Sequence, residues 1–166
     1  MSRRRVISAA AGLAVFTTVA ALGGAETLTL IRLAVFGAAL GAVVESDLVE
    51  RRIPNRIVVP AALVCAAATL GSEAASFALA EGLALALVLL LLSLVRADAL
   101  GMGDVKLALL LVVALDGRSA LALVAGLALA ASFGVLLLLR FGRAGAQRRL
   151  PLAPFFAAGA LIAVLA

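Results

Sequence analysis

Two stretches of this sequence put acids where they could do chemistry. One is Glu45-Ser46-Asp47-Leu48-Val49-Glu50-Arg51-Arg52-Ile53-Pro54-Asn55, which closes one apolar run and opens the next. The other is Gly101-Met102-Gly103-Asp104-Val105-Lys106, which leads straight into a further apolar run. Brought together, Asp47 and Asp104 would form a pair of carboxylates that cannot both ionise cheaply, so one keeps a proton while the other stays a base. Such a pair can hydrolyse a peptide: the base activates water and the protonated partner polarises the scissile carbonyl. Their proton affinities would belong to the pair. Rival chemistries lack parts. There is no histidine, which excludes Ser-His and Cys-His catalysis and any histidine metal site. A Ser-Lys dyad would have to recruit Lys106, whose nearest serines, Ser93 and Ser119, have no motif around them. Gly101-Met102-Gly103 lacks the longer spacing of a phosphate-cradling loop. No cofactor or metal is expected.

Plainer roles exist for the same residues. Asp47 could pair with Arg51 if its helix runs one more turn, and taken alone this stretch reads first as a surface ion pair. Arg51, Arg52 and Arg56 hold a loop on one membrane side, while Pro54 or Asn55 suits a helix N-terminus. Asp104 could be a helix N-cap, with glycines making the turn before it. That does not explain two glycines around Met102 ahead of a short helix whose end could lie below the membrane surface. An ionisable group there is a functional hypothesis by default. Gly101 and Gly103 would let an extended peptide backbone approach closely. Lys106, Pro54 and Asn55 complete the candidate set that binds substrate or shapes the loops. Asp98 lies on the same face but lacks flanking glycines and reads as a solvated loop charge.

The elements that must position these acids follow from composition. The chain is 66% hydrophobic and 14% charged over 166 residues, a balance that a water-facing globule could not carry without aggregating, so the bilayer is its solvent. Apolar runs fall near residues 6–22, 28–44, 57–71, 76–95, 104–115, 119–139 and 150–166. Crossing the hydrocarbon core takes about 20 residues, and the fifth run is short, rising only about 21 Å between Gly103 and Asp116, so one end should lie below the surface or be buried among neighbours. The expected fold is an all-α integral membrane protein, a polytopic bundle of six core transmembrane helices plus an extra N-terminal helix. Residues 1–25 form the N-terminal hydrophobic segment and 26–166 the main membrane domain. Arg3 to Arg5 followed by an apolar run and small residues also resembles a secretory signal, although the run is somewhat long for one.

Basic residues set the orientation. With a cytoplasmic N-terminus, twelve of the fourteen lysines and arginines lie inside, and Arg32 and Arg118 lie at or near the outer end. The 45–56, 96–104 and 140–149 loops then share the cytoplasmic face, and Asp47 and Asp104 with them. The net charge of +5 is a topology signal, and no nucleic acid is expected as a partner. Cys65, the single cysteine, reads as a small packing residue. Gly37, Gly41, Gly82, Gly126 and Gly134 allow close helix packing, with Gly37 and Gly41 a small-xxx-small pair.

These residues carry a resemblance. An aspartate followed by a basic stretch and Ile53-Pro54-Asn55, then Gly101-Met102-Gly103-Asp104-Val105-Lys106-Leu107, then Leu150-Pro151-Leu152-Ala153-Pro154-Phe155, resemble in order the three signatures of the type IV prepilin peptidases, among the GxGD membrane aspartyl proteases. The likeness covers roughly residues 28–166 and is most specific at the second motif. It implies cleavage of a short hydrophilic leader from a prepilin or pseudopilin at the cytoplasmic face of the cytoplasmic membrane, by Asp47 and Asp104. Longer members of that family carry a further cytoplasmic domain with paired cysteines and also methylate the new N-terminus. This chain resembles the short, peptidase-only form found with tight-adherence pili, and methylation is not expected. The extra first segment departs from the family's six-helix pattern. Glu45 and Glu50, flanking Asp47, could help bind a basic leader.

The competing reading is a small transporter or assembly subunit in which Asp47 and Asp104 bind a cation or relay protons. A carrier should hold its acids near mid-membrane, often within repeated halves. Here they lie at loop boundaries, with no internal repeat. A peptidase cutting other membrane proteins inside the bilayer is a rival within the same chemistry, and the Ile53-Pro54-Asn55 and C-terminal proline signatures favour prepilin processing over it.

Overall fold

The computed structural model describes residues 3–69, 101–115, 117–142 and 150–166, with single positions at 80, 84, 85, 87, 88 and 91. The segment expected at 76–95, the loops expected at 96–104 and 140–149, and the residues Gly82, Asp98 and Asp116 lie largely or wholly outside the described residues. Six α-helices order the described chain: α1 (Arg3–Leu22), α2 (Thr27–Glu50), α3 (Asn55–Thr69), α4 (Met102–Leu115), α5 (Ser119–Phe141) and α6 (Ala153–Leu165). Among the described residues α1, α2 and α5 are long and apolar enough to cross a membrane, whereas α3 and α6 are shorter apolar helices.

The burial pattern is that of a bundle solvated by lipid. Val124, Leu136 and Leu139 of α5 and Ile7 of α1 are exposed, which in hydrocarbon carries no hydrophobic penalty. The interior is centred on α4. Nine of its fourteen residues are buried, from Val105 to Leu115, and Leu107, Leu110 and Leu111 are wholly inaccessible. A helix of fourteen residues rises only about 21 Å. The shortness expected of this element is therefore accommodated by burying it among its neighbours.

Two interfaces depend on missing side chains. Gly12 of α1 lies against the carbonyl of Gly37 on α2, and Gly41 lies against the carbonyl of Ser8, so close that a Cβ on either glycine would overlap that backbone. The expected Gly37 and Gly41 pair thus packs α2 against α1, with Phe16 meeting Phe36 edge to face at 5.1 Å between ring centroids. On the other side of the bundle, Gly159 of α6 lies against Ala122 and Gly126 of α5 in the same way.

The element ends explain where the acids fall. The α2 helix does not stop with its apolar run at residue 44. It continues through Glu45 to Glu50 and closes at Arg51, which takes a left-handed conformation with φ of 51° and donates its N–H to the carbonyl of Asp47. Asp47 therefore stands in the last turn of a helix, where sequence had placed it in a loop. The chain then turns over only four residues, and Ile57 and Val58 donate their N–H groups to the Pro54 carbonyl to start α3.

At the far end of the bundle, some fifteen residues and about 22 Å along α2 from Asp47, the two arginines expected near the outer side serve as internal ties. Arg32 is only 6% exposed, and its Nη1 donates to the Thr69 hydroxyl at 3.2 Å. That hydroxyl lies 2.8 Å from the carbonyl of Val113 and 2.9 Å from that of Cys65, which joins α2, α3 and α4. Arg118 donates to the carbonyls of Ala163 and Val164, a cation on the negative end of α6.

Candidate active site

The C-terminal end of α2 and the N-terminal ends of α3 and α4 converge on one cavity of about 410 Å³, lined by Asp47, Arg51, Arg52, Ile53, Asn55, Gly101, Gly103, Asp104 and Lys106. Both aspartates lie in it, so acids separated by about a third of the chain share one site. The other cavities described hold neither acid.

Asp47 is 7% exposed. Its Oδ2 accepts a hydrogen bond from the backbone N–H of Ala153 at 3.0 Å, in a buried setting. The sequence around Ala153 makes that donor available. The first N–H groups of a helix have no partner within it. In α6 the N–H groups of Phe155 and Phe156 bond to the Leu152 carbonyl, and Pro154 has none to offer. The N–H of Ala153 is left pointing at the carboxylate, with the positive end of α6 behind it. The proline-flanked stretch 150–155 thereby acquires a physical task, which is to aim a helix start at Asp47.

Asp104 is the third residue of α4 and so is not the N-cap. Its Oδ2 accepts from the N–H of Gly101 at 3.3 Å, the backward-reaching half of a capping box. Asp104 stands in the first turn of a helix too short to be a membrane span, on a cavity rimmed by Arg51, Arg52 and Lys106. Burial, and then the neighbouring Asp47 charge, push its carboxyl up to about 6, against the opposing pull of the Gly101 N–H.

The remaining expected residues frame the pair. Lys106 Nζ donates to Asn55 Oδ1 at 3.0 Å, tying the start of α4 to the start of α3. Asn55 is thus engaged across the site, and the Pro54 carbonyl receives the first N–H groups of α3. Gly103 faces Ile53, and a Cβ there would come within 3.0 Å of the isoleucine Cβ. A Cβ on Gly101 would sit 3.4 Å from Asp104 Oδ2. Gly103 therefore leaves room for the Ile53 side chain, whereas a side chain at Gly101 would make only an ordinary contact. Glu45 and Glu50 point away from the cavity to Arg5 of α1. Ile53 and Ala153 fall within the motifs quoted from the sequence but had no role assigned to them there, and Arg5 was read only as part of the basic N-terminus, although the prolines at 151 and 154 marked a helix start with few free donors.

Long apolar helices and a polar cavity holding two acids at one end define a helical membrane protein with a paired-carboxylate site. This chain belongs to the type IV leader peptidase family, whose sequence profile matches residues 34–165. The match takes in both aspartates and the 150–155 stretch, while α1 lies ahead of it. Neither the curated proteins nor the solved structures contain a match to the chain. Membership carries prepilin-type peptidase activity, and peptidases of that family are of the aspartic type.

Proposed function

We propose that the chain is an aspartyl endopeptidase that removes the leader from prepilin-like proteins at the cytoplasmic face of the membrane, without methylating the new N-terminus. The observation that supports this most is the joint placement of Asp47 and Asp104 on one cavity. A cavity of this size falls in the range that takes a small ligand or a short length of extended chain.

The pair shares one proton. Burial disposes Asp104 to hold it, and Asp47, whose Oδ2 accepts from the Ala153 N–H, serves as the base. Asp47 then takes a proton from water as the water oxygen bonds to the scissile carbonyl carbon, while the Asp104 carboxyl donates to the carbonyl oxygen. Collapse of the tetrahedral species breaks the C–N bond. Asp47 passes its proton to the leaving amine, and Asp104 recovers its own from the hydroxyl that becomes the new carboxyl group. The cationic rim of Arg51, Arg52 and Lys106 keeps this loop region on the inner side and screens the acids.

The alternative role of the two acids as a cation or proton site in a transporter has less support, because they sit at one end of the bundle and not at its middle. Sealed membrane vesicles decide between the two. Inverted vesicles, with the cytoplasmic face outward, are expected to cut an added water-soluble peptide spanning a prepilin leader junction and to leave an unmethylated N-terminus by mass spectrometry. Cutting only by vesicles of the opposite orientation, or no cutting by either, would contradict the proposal.

A further inference from the structure

We propose that Arg5 of α1 is a positioning residue that holds the last turn of α2, and with it Asp47, in working geometry. The inference rests on the reading of Asp47 as a catalytic carboxylate. Asp47 occupies an inherently weak place. Helix ends fray, and the last carbonyls of a helix have no partner within it. The bond from the Arg51 N–H to the Asp47 carbonyl is the final one of α2, made by a residue in a left-handed conformation that non-glycine residues seldom take.

Arg5 bridges this turn from outside. Its Nε lies 3.1 Å from Glu45 Oε2, and its Nη2 meets Glu50 Oε1. The two acids bracket Asp47 in sequence, so one guanidinium spans the turn that carries it. A single exposed ion pair contributes little. Here the Arg5 and Glu45 side chains are 21% and 12% exposed, and two acids share one planar donor fork. The fork is also mounted rigidly. One turn further along α1, Ser8 lies against Gly41, and a turn beyond that Gly12 lies against Gly37, so the backbone that carries Arg5 is held close to α2.

Asp47 is therefore fixed from two sides. Its carboxylate is held by the N-terminus of α6, and its backbone turn is held by α1 through Glu45 and Glu50. This gives α1, which lies ahead of the family match, a share in the site without contact to the cavity. It also commits Glu45 and Glu50 to Arg5.

The test compares the full-length wild type, Arg5→Gln, and a charge-reversed pair in which Arg5→Glu with Glu45→Arg is combined with Glu50→Gln, so that no like charge faces the reversed position, each in lipid nanodiscs. Two quantities are read: cleavage of a prepilin with a basic leader ending in glycine, and amide hydrogen exchange along α2. Arg5→Gln is expected to lower kcat by roughly tenfold with KM little changed, as a displaced catalytic group does. Exchange should rise at residues 47–51 and stay constant at 30–43. The reversed pair should recover most of both. Wild-type kcat and exchange in Arg5→Gln, exchange rising evenly along α2, or no recovery in the reversed pair would each overturn the inference. A wild type that cuts no prepilin would count against the peptidase reading itself, and the exchange data would still decide whether Arg5 holds this turn.

Discussion

At the scale of the residue, the two aspartates are not equivalent, and the difference is set by what surrounds each carboxylate. Asp47 meets a backbone N–H at the start of α6. Asp104 is pushed up from 3.8 to about 6 by burial and by the Asp47 charge. A raised carboxyl favours the neutral form in the folded state. Below the ordinary value both folded and unfolded chains hold the proton and nothing is lost. As pH rises from there through about 6 the folded state loses stability relative to the unfolded one, and above that the loss is constant. Asp104→Asn keeps an oxygen for the Gly101 N–H and removes the titration. This variant should melt above wild type at about pH 8, and the difference should close near pH 4; an unchanged gap across that range would contradict the burial assigned to Asp104. In Asp47→Asn the Asp104 carboxyl, followed by carbon-13 NMR, should titrate lower than in wild type. The pairing of these acids was legible in the sequence, because the basic clusters assign both to one membrane side and the short connections confine them. The Ala153 donor was not legible, since a backbone N–H has no residue type to announce it. Nor was Arg5, whose partners Glu45 and Glu50 lie 40 and 45 positions away.

At the scale of the element, the apolar runs marked helix cores well and helix ends poorly. The run at 28–44 became a helix over Thr27–Glu50, because the last turns of a helix can leave the hydrocarbon while keeping their backbone bonds. Charged residues at 45, 47 and 50 therefore ended the apolar signal without ending the helix. Conversely, the run at 150–166 yields a helix only from Ala153, delayed by the prolines at 151 and 154, the second of which suits a first turn. The Gly37 and Gly41 pair was legible as a packing device, but its partner was not, because spacing shows that a helix can be approached closely and not by which neighbour. The partner is α1, and the contact is tight enough to test by overpacking. Gly37→Leu would drive a side chain into the Gly12 backbone and Phe16. The expected loss is about 1–3 kcal/mol, seen as a lower thermal midpoint in detergent. Gly134, whose nearest neighbour would be 3.8 Å from an added Cβ, should tolerate alanine with no measurable change. Equal sensitivity at both positions would contradict the α1–α2 contact.

At the scale of the whole molecule, the bundle separates its polar work between two ends. The end holding Arg32 and Arg118 is tied together by side-chain bonds to backbone carbonyls of α4 and α6. The other end gathers the termini of α2, α3 and α4 around a cavity with two acids, and the start of α6 bonds to one of those acids. The apolar centre, chiefly α4, holds the two ends apart. Composition alone required a membrane protein, and the family match agrees with the peptidase reading. What sequence could not supply was the convergence of four helix ends, which depends on how the helices cross. The proposed activity follows from that convergence, and it is tested most directly by removing one carboxylate at a time. Wild type, Asp47→Asn and Asp104→Asn would each be co-expressed with a small prepilin, and leader removal followed by the mass of the pilin. Wild type is expected to trim the leader, and both variants, present in the membrane at wild-type amounts, to leave it intact; normal trimming by either variant would contradict the two-aspartate mechanism.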